Sequence, residues 1–115
     1  MQVVFVIAPD WTLRTSVRAE LREIGTKALG MATPDEVGLA LAAGEMPSAI
    51  VLEATAPIAS NPAIQKLVQR VPTVLVASRT ETLDMPPVAA VFYRPVRIGD
   101  IVARVREILR QGYPA

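Results

Sequence analysis

One carboxylate, Glu53, ends a run of strand-forming residues at 50–52, and Pro57 follows it four positions later. Such a run is typical of a strand that is buried on both faces of a sheet. Open α/β sheets place their chemistry at the carboxyl ends of their strands. Glu53 is therefore the first residue at which a function should be sought.

The composition restricts that chemistry. The sequence contains no His and no Cys, so the usual zinc sites, cysteine nucleophiles and Ser-His-Asp triads are excluded. Carboxylate, Lys/Arg and hydroxyl chemistry remain. The formal net charge of +1 does not favour nucleic acid as a partner. Its length of 115 residues and 51% hydrophobic content fit one globular domain over 1–115, with no membrane span. Residues 2–7 follow the first methionine without a basic leader, so we expect a cytoplasmic protein.

Strand and helix signals alternate along the chain. Asp10 is a predicted N-cap for a first helix that stops at Gly25, and Thr33-Pro34-Asp35-Glu36 is a capping box for a second helix that Gly44 closes. Asn61-Pro62 starts a third helix, and a last helix carries its apolar face from Ile98 to Leu109 before Gly112. Strands are predicted at 2–7, 28–31, 48–53, 73–77 and 89–93.

This alternation with short connections predicts a flavodoxin-like α/β sandwich with five parallel strands in the order 2-1-3-4-5. One connection is irregular. Only residues 79–88 separate the fourth and fifth strands, and Pro86-Pro87 takes up part of that segment. We therefore expect the helix between these strands to be shortened to a turn around residues 80–84, or missing.

Over its whole length the chain resembles a response-regulator receiver domain, the module of two-component phosphorelays that accepts a phosphoryl group on an aspartate. Residues 4–25 resemble the first strand and helix of that family. Glu53 and Pro57 stand at the phospho-acceptor position and at the proline four residues beyond it. Arg94-Pro95 falls where the family has a Lys-Pro pair after its fifth strand.

The resemblance implies a Mg²⁺ site, in which two acids after the first strand and the acceptor aspartate supply oxygen ligands. The metal would neutralise charge as phosphate moves onto the acceptor. This sequence has Ala8 and Pro9 at the positions of the two acids, and neither offers a side-chain ligand. Asp10 stands one position late and is interpreted as the N-cap of the first helix, with a displaced metal ligand as the alternative. We expect no metal and no cofactor.

The other positions of the family's site also differ. Glu53 carries one methylene more than aspartate, which displaces the nucleophilic oxygen. Ala77 stands where the family has a phosphate-sensing hydroxyl, although Ser78 is adjacent. Arg94 replaces the lysine and favours a planar partner such as a carboxylate. The favoured hypothesis is that Arg94 pairs with Glu53, and the alternative is that both are solvated remnants.

These residues predict an atypical, non-enzymatic receiver-like module that is not phosphorylated and acts through protein contacts. A divergent receiver that is phosphorylated at Glu53 or a neighbour is the second hypothesis. A flavodoxin-like domain that binds a small anion or nucleotide is the third, and the absence of a glycine-rich loop after the first strand weakens it.

Two candidate contact surfaces follow, one beside the shortened connection and one at Trp11, next to the positions of the family's metal-binding acids. Met85, Phe92 and Tyr93 are candidates for an altered apolar surface beside the shortened connection, with ordinary packing as the equal alternative. Trp11 is either a partner contact or, as favoured, the cover of a core edge. The arginines of the first and last helices are interpreted as a mixed, solvated face. We therefore expect protein partners, whose identity the sequence does not give, and a homodimer through a non-standard face is a further alternative.

Overall fold

The computed structural model describes residues 2–80 and 84–111. Five parallel strands form one sheet in the order β2-β1-β3-β4-β5, which confirms the predicted flavodoxin-like order. The strands are β1 (Val3–Ile7), β2 (Lys27–Met31), β3 (Ala49–Glu53), β4 (Thr73–Ala77) and β5 (Ala90–Tyr93). The predicted strand bounds are correct to within one residue at each end.

Five helices are present in the described part of the chain, one more than predicted. They are α1 (Trp11–Glu23), α2 (Pro34–Ala42), α3 (Ala56–Ala59), α4 (Pro62–Arg70) and α5 (Ile98–Gln111). The extra element is α3, a single turn directly after β3. Its signal is weak because four residues are too few to show helical periodicity, and its N-cap Thr55 makes no side-chain capping bond.

Two layers of helices cover the two faces of the sheet. Alternate strand residues such as Phe5 and Leu52 pack with α2, α3 and α4 on one face. Their neighbours Val6 and Val51 pack with α1 and α5 on the other. This arrangement follows from the period of two along a strand and explains why β1, β3 and β4 are apolar at nearly every position.

Helix ends follow the predicted capping residues. The Asp10 carboxylate accepts a hydrogen bond from Thr12 N at 3.0 Å, and Thr33 Oγ1 accepts one from Glu36 N at 3.3 Å. Gly25 and Gly44 follow α1 and α2 with φ of 85° and 92°, a conformation that other residues rarely adopt. The Asp10 cap fixes the start of α1, which lies at the carboxyl edge of the sheet.

The connection between β4 and β5 contains no helix in its described residues, 78–80 and 84–89. Met85 and Val88 pack partly buried against the core on the α4 side of the sheet. The turn predicted around residues 80–84 falls mostly outside the described residues. Of the helices described, none has the length and apolar character needed to cross a membrane.

Candidate functional site at the carboxyl edge of the sheet

The strand order brings the predicted site residues to one edge. Glu53 is the last residue of β3, Ala77 is the last of β4, and Arg94 follows the last residue of β5. The Arg94 backbone N–H donates to the Ala77 carbonyl at 2.9 Å, which joins the end of β5 to the end of β4. Because β1 also pairs with β3, the loop after β1 reaches the same edge.

Both oxygens of the Glu53 carboxylate accept a hydrogen bond. The Asp10 backbone N–H donates to Oε1 at 2.9 Å, and Arg94 Nη2 donates to Oε2 at 2.9 Å. The Glu53 side chain is only 13% exposed, whereas that of Arg94 is 40% exposed. The expected contact between Glu53 and Arg94 is therefore present, and the buried member of the pair is the carboxylate.

Arg94 also contacts a second carboxylate. The distance from its Nη2 to Asp10 Oδ2 is 3.5 Å, so one guanidinium bridges two acids. The other oxygen of Asp10 caps α1, as the sequence predicts. The contribution of the Asp10 amide to the Glu53 site has no counterpart in the side-chain pattern, because it depends on a backbone donor.

A divalent cation site of the receiver kind does not fit these residues. Ala8 is buried at the end of β1 and Pro9 follows it, and neither side chain carries a donor atom. Asp10 and Glu53 both place a carboxylate at this edge, and both already face Arg94. Within residues 2–80 and 84–111, no three His, Cys, Asp or Glu side chains form a group that could hold a metal ion.

The hydroxyl candidate lies just past the strand end. Ala77 is buried in β4, and Ser78 is half-buried directly after it. Ser78 Oγ lies 2.9 Å from Thr80 Oγ1 and accepts a hydrogen bond from Thr80 N at 3.3 Å. These contacts close a local turn within residues 78–80. Pro95 follows Arg94 through a cis peptide bond.

Trp11 differs from its favoured interpretation, since its side chain is 67% exposed. It lies two positions before Leu13 on α1, which places it about 200° around the helix from Leu13, the nearest buried residue of that helix along the chain. It therefore does not cover the core edge beside Leu13. A solvent-open cleft of about 590 Å³ starts beside it and is lined by Asp10, Thr12, Leu13, Arg94, Pro95, Val96 and Ile98.

The other three surface candidates divide into two kinds. Tyr93 is 45% exposed, and the guanidinium carbon of Arg79 lies 5.0 Å from its ring centroid. Met85 and Phe92 are partly buried against the two core layers. Met85 and Phe92 therefore pack in the ordinary way against the core, and of the three only Tyr93 offers an exposed aromatic side chain.

The interpretation of the arginines as solvated is wrong for Arg14 and Arg104, which are half-buried, whereas Arg22 is exposed although it also donates to the backbone. Arg14 Nη1 donates to the Ala8 carbonyl at 2.7 Å, and Arg22 donates through Nε and Nη2 to the Ala28 carbonyl at 3.3 and 3.2 Å. Arg104 Nη2 donates to the Ala89 carbonyl at 3.3 Å. Spacing along a helix cannot reveal such contacts, because it shows the face on which an arginine starts and not where its long side chain ends.

Comparison with known proteins gives a fold and no family assignment from sequence. No protein-family model and no curated protein sequence matches this chain. A response regulator receiver protein from Burkholderia phymatum matches in structure with a TM-score of 0.75 at 18% identity, over 96% of each chain. A Francisella response regulator receiver domain matches with a TM-score of 0.75 at 13% identity, over 96% of this chain and 98% of that one.

A CheY-like response regulator receiver domain from Methanospirillum hungatei matches with a TM-score of 0.72 at 16% identity, over 96% of this chain and 95% of that one. These likenesses extend over nearly the whole chain and include its strand order. At such identities they concern the fold and not the activity. This protein has the flavodoxin-like fold of response-regulator receiver domains.

Proposed function

We propose that this chain is a cytoplasmic receiver-like signalling module that is not phosphorylated and acts through contacts with other proteins. The observation that carries the proposal is the Arg94 bridge to Glu53 and Asp10, with Nη2 at 2.9 and 3.5 Å from the two carboxylates. Arg94 stands at the lysine position of the receiver resemblance, and its guanidinium occupies the two carboxylates that a metal ion or a phosphoryl group would need.

The state of Glu53 supports this proposal. Phosphoryl transfer depends on positioning and on neutralisation of charge at the acceptor. Glu53 is longer than aspartate, and a displacement of about 1 Å can reduce a rate about 100-fold. Both of its oxygens are also engaged, by the Asp10 amide and by Arg94. An incoming phosphoryl group would have to approach an oxygen that already holds a hydrogen-bond donor.

The cation of the site has a fixed partner. Mg²⁺ in a phosphoryl-transfer site usually keeps waters and accepts substrate oxygens in exchange for them. The Arg94 guanidinium instead faces two carboxylates of the protein, with its Nη2 at 2.9 Å from Glu53 and 3.5 Å from Asp10. The pair thus holds one charge arrangement at the carboxyl edge. We propose that partners recognise this single conformation.

The surface beside the site supports recognition by protein. Trp11 is exposed next to Asp10, and the cleft between α1 and the segment after β5 is lined by both polar and apolar side chains. Exposed tryptophans at such places are common centres of binding energy in protein interfaces. The two carboxylates at this edge disfavour an anionic ligand, which weakens the small-anion hypothesis.

Phosphotransfer directly tests the proposal against a divergent, phosphorylatable receiver. The protein is incubated with acetyl phosphate and Mg²⁺, and its intact mass is measured beside that of a receiver domain known to accept phosphate. We expect an adduct on the reference domain and none on this chain. An adduct that forms on wild type and is absent from Glu53→Gln would overturn the proposal.

A second experiment tests whether the site takes part in recognition. Wild type, Glu53→Ala and Arg94→Ala are used as baits in the native host, with Lys27→Ala as a control that breaks a different ion pair, at 2.8 Å to Glu45. We expect the control to recover the same partners as wild type and the two site variants to lose some. Equal recovery from all four would show that this edge is not part of the interface.

A further inference from the structure

A second arginine contacts the loop between β1 and α1. Arg14 belongs to the first turns of α1, and its Nη1 donates to the Ala8 carbonyl at 2.7 Å and to the Pro9 carbonyl at 3.3 Å. Ala8 and Pro9 are the positions at which the receiver resemblance implies metal-binding acids. The side chains of Ala8 and Pro9 offer no ligand, but their backbone carbonyls accept hydrogen bonds from the Arg14 guanidinium.

The path of this side chain depends on a glycine. A Cβ atom built on Gly30 of β2 would lie 3.1 Å from Arg14 Cγ and 3.3 Å from Arg14 Cδ. Both distances are shorter than ordinary carbon contacts, so the stem of Arg14 lies against the strand where a side chain is missing. Gly30 has no positive φ. Its role here is to leave room and not to make a turn.

The loop that Arg14 contacts leads directly to the Glu53 site. The Ala8 N–H donates to the Met31 carbonyl at 2.9 Å, which holds the start of the loop to β2. Arg14 holds the next two carbonyls from the side of α1. Asp10 then presents its N–H to Glu53 Oε1 at 2.9 Å. The direction of that N–H is set by the peptide plane between Pro9 and Asp10, whose oxygen is the Pro9 carbonyl.

We propose that Arg14 is a positioning residue for this site, which orients the 8–10 loop so that the Asp10 amide binds Glu53. The absence of a side chain at Gly30 leaves room for the stem of Arg14 on this path. Arg94 then faces the two carboxylates of the site, and Arg14 holds the carbonyls of the loop. The biological meaning of this inference rests on the proposed function, whereas its test does not.

The same helix provides a matched control. Arg22 also donates a guanidinium hydrogen bond to a backbone carbonyl, that of Ala28, at 3.2 and 3.3 Å. Ala28 lies inside β2 and not in the loop that leads to Glu53. Substitution of Arg22 therefore removes a bond of the same chemistry, from the same helix, without touching the site.

Amide hydrogen exchange at Asp10, followed by NMR, tests the proposal. Loss of a charge-assisted hydrogen bond that fixes the loop is expected to speed exchange of the Asp10 amide by roughly tenfold in Arg14→Ala. Arg22→Ala is expected to leave that rate at its wild-type value. Arg14→Lys keeps one cationic donor, so we expect it to recover part of the protection.

Gly30→Ala provides a route that does not alter the charge of Arg14. Its added methyl group displaces the Arg14 stem, and we expect faster Asp10 exchange with little change at the Ala28 side of β2. Urea unfolding of each variant separates local opening from global loss of stability. If Arg14→Ala does not fold, Gly30→Ala and Arg14→Lys decide the matter.

Unchanged Asp10 exchange in Arg14→Ala or Gly30→Ala, or equal acceleration in Arg14→Ala and Arg22→Ala after correction for global stability, would overturn the inference. Neither result would bear on whether Glu53 accepts phosphate. Conversely, a phosphoryl adduct on Glu53 would contradict the proposed function. The role of Arg14 would still be tested by the exchange rate of the Asp10 amide.

Discussion

Arg94 donates a hydrogen bond from Nη2 to Glu53 Oε2 at 2.9 Å, between residues 41 positions apart in the chain. The contact joins the ends of β3 and β5, which are not adjacent in the sheet, since β4 lies between them. A long side chain is needed to cross that distance. The ion pair therefore links directly the ends of two strands that the sheet connects only through β4.

A double-mutant cycle measures that link. We expect Glu53→Gln and Arg94→Ala to couple by about 1 kcal/mol in urea unfolding, because the carboxylate is mostly buried and its partner is half-exposed. The coupling should fall at high salt. The cycle for Lys27 and Glu45, a pair with side chains 41% and 28% exposed, is the reference, with about 0.3 kcal/mol expected. A Glu53–Arg94 coupling no larger than the reference would contradict a structural role for the pair.

Asp10 has two tasks that substitutions can separate. Asp10→Asn keeps a side-chain acceptor for Thr12 N, so we expect a loss of at most about 0.5 kcal/mol in the free energy of unfolding. Asp10→Ala removes the cap of α1 and should cost about 1 kcal/mol. Thr33→Ala, at the cap of α2, is the matched control for capping alone. If Asp10→Asn were as destabilising as Asp10→Ala, the charge facing Arg94 would outweigh the cap.

Restoring the acids of a receiver site should restore a response to Mg²⁺. The variant with Ala8→Asp, Pro9→Asp and Glu53→Asp places three aspartates at the positions of the receiver acids, beside Asp10, and Arg94→Lys frees them from the guanidinium. Trp11 lies next to the site, so its fluorescence reports metal binding. We expect the fluorescence of this variant to change on addition of Mg²⁺ and that of wild type to stay constant. A saturable change in wild type would show that the native residues bind the ion.

The exposed aromatics should matter for contacts and not for stability. We expect Trp11→Ala and Tyr93→Ala to stay within about 0.5 kcal/mol of wild type in urea unfolding, because both side chains are largely exposed. Phe92→Ala removes a ring that packs against the core on the α5 side and should cost about 2 kcal/mol. A large loss for Trp11→Ala would return that residue to the core-covering role that the sequence favours.

The sequence predicts the fold well where local chemistry decides it. Asp10 and Thr33 are capping residues by type, and Gly25 and Gly44 end their helices by conformation, so α1 and α2 are readable without any tertiary contact. The apolar run that ends at Glu53 likewise predicts β3 and its carboxyl edge. Elements that depend on tertiary packing are harder to predict from sequence, and the four-residue helix α3 is the clearest example.

The sequence predicts which side chains form the candidate site but not all of the contacts between them. The pairing of Glu53 with Arg94 is the favoured hypothesis of the sequence, because the receiver resemblance puts a carboxylate and a guanidinium at two positions of one site. The contacts of the Asp10 amide and of the Arg14 side chain could not be predicted. Every residue except proline has a backbone N–H, so residue type does not show which one binds Glu53. The end of a long side chain can also lie several ångströms from its helix. Gly30 is a usable signal, since a glycine within a strand often marks a close approach.

The most direct test of the central claim is an NMR titration of the ¹⁵N-labelled protein with beryllofluoride and Mg²⁺, a mimic of the phosphorylated acceptor. If Arg94 and the Asp10 amide hold Glu53 in one closed state, the amide signals of residues around Glu53, Ala77 and Arg94 should keep their positions throughout. Saturable shifts of these signals that are absent from Glu53→Gln would contradict the claim, because they would show an acceptor open to a phosphoryl group.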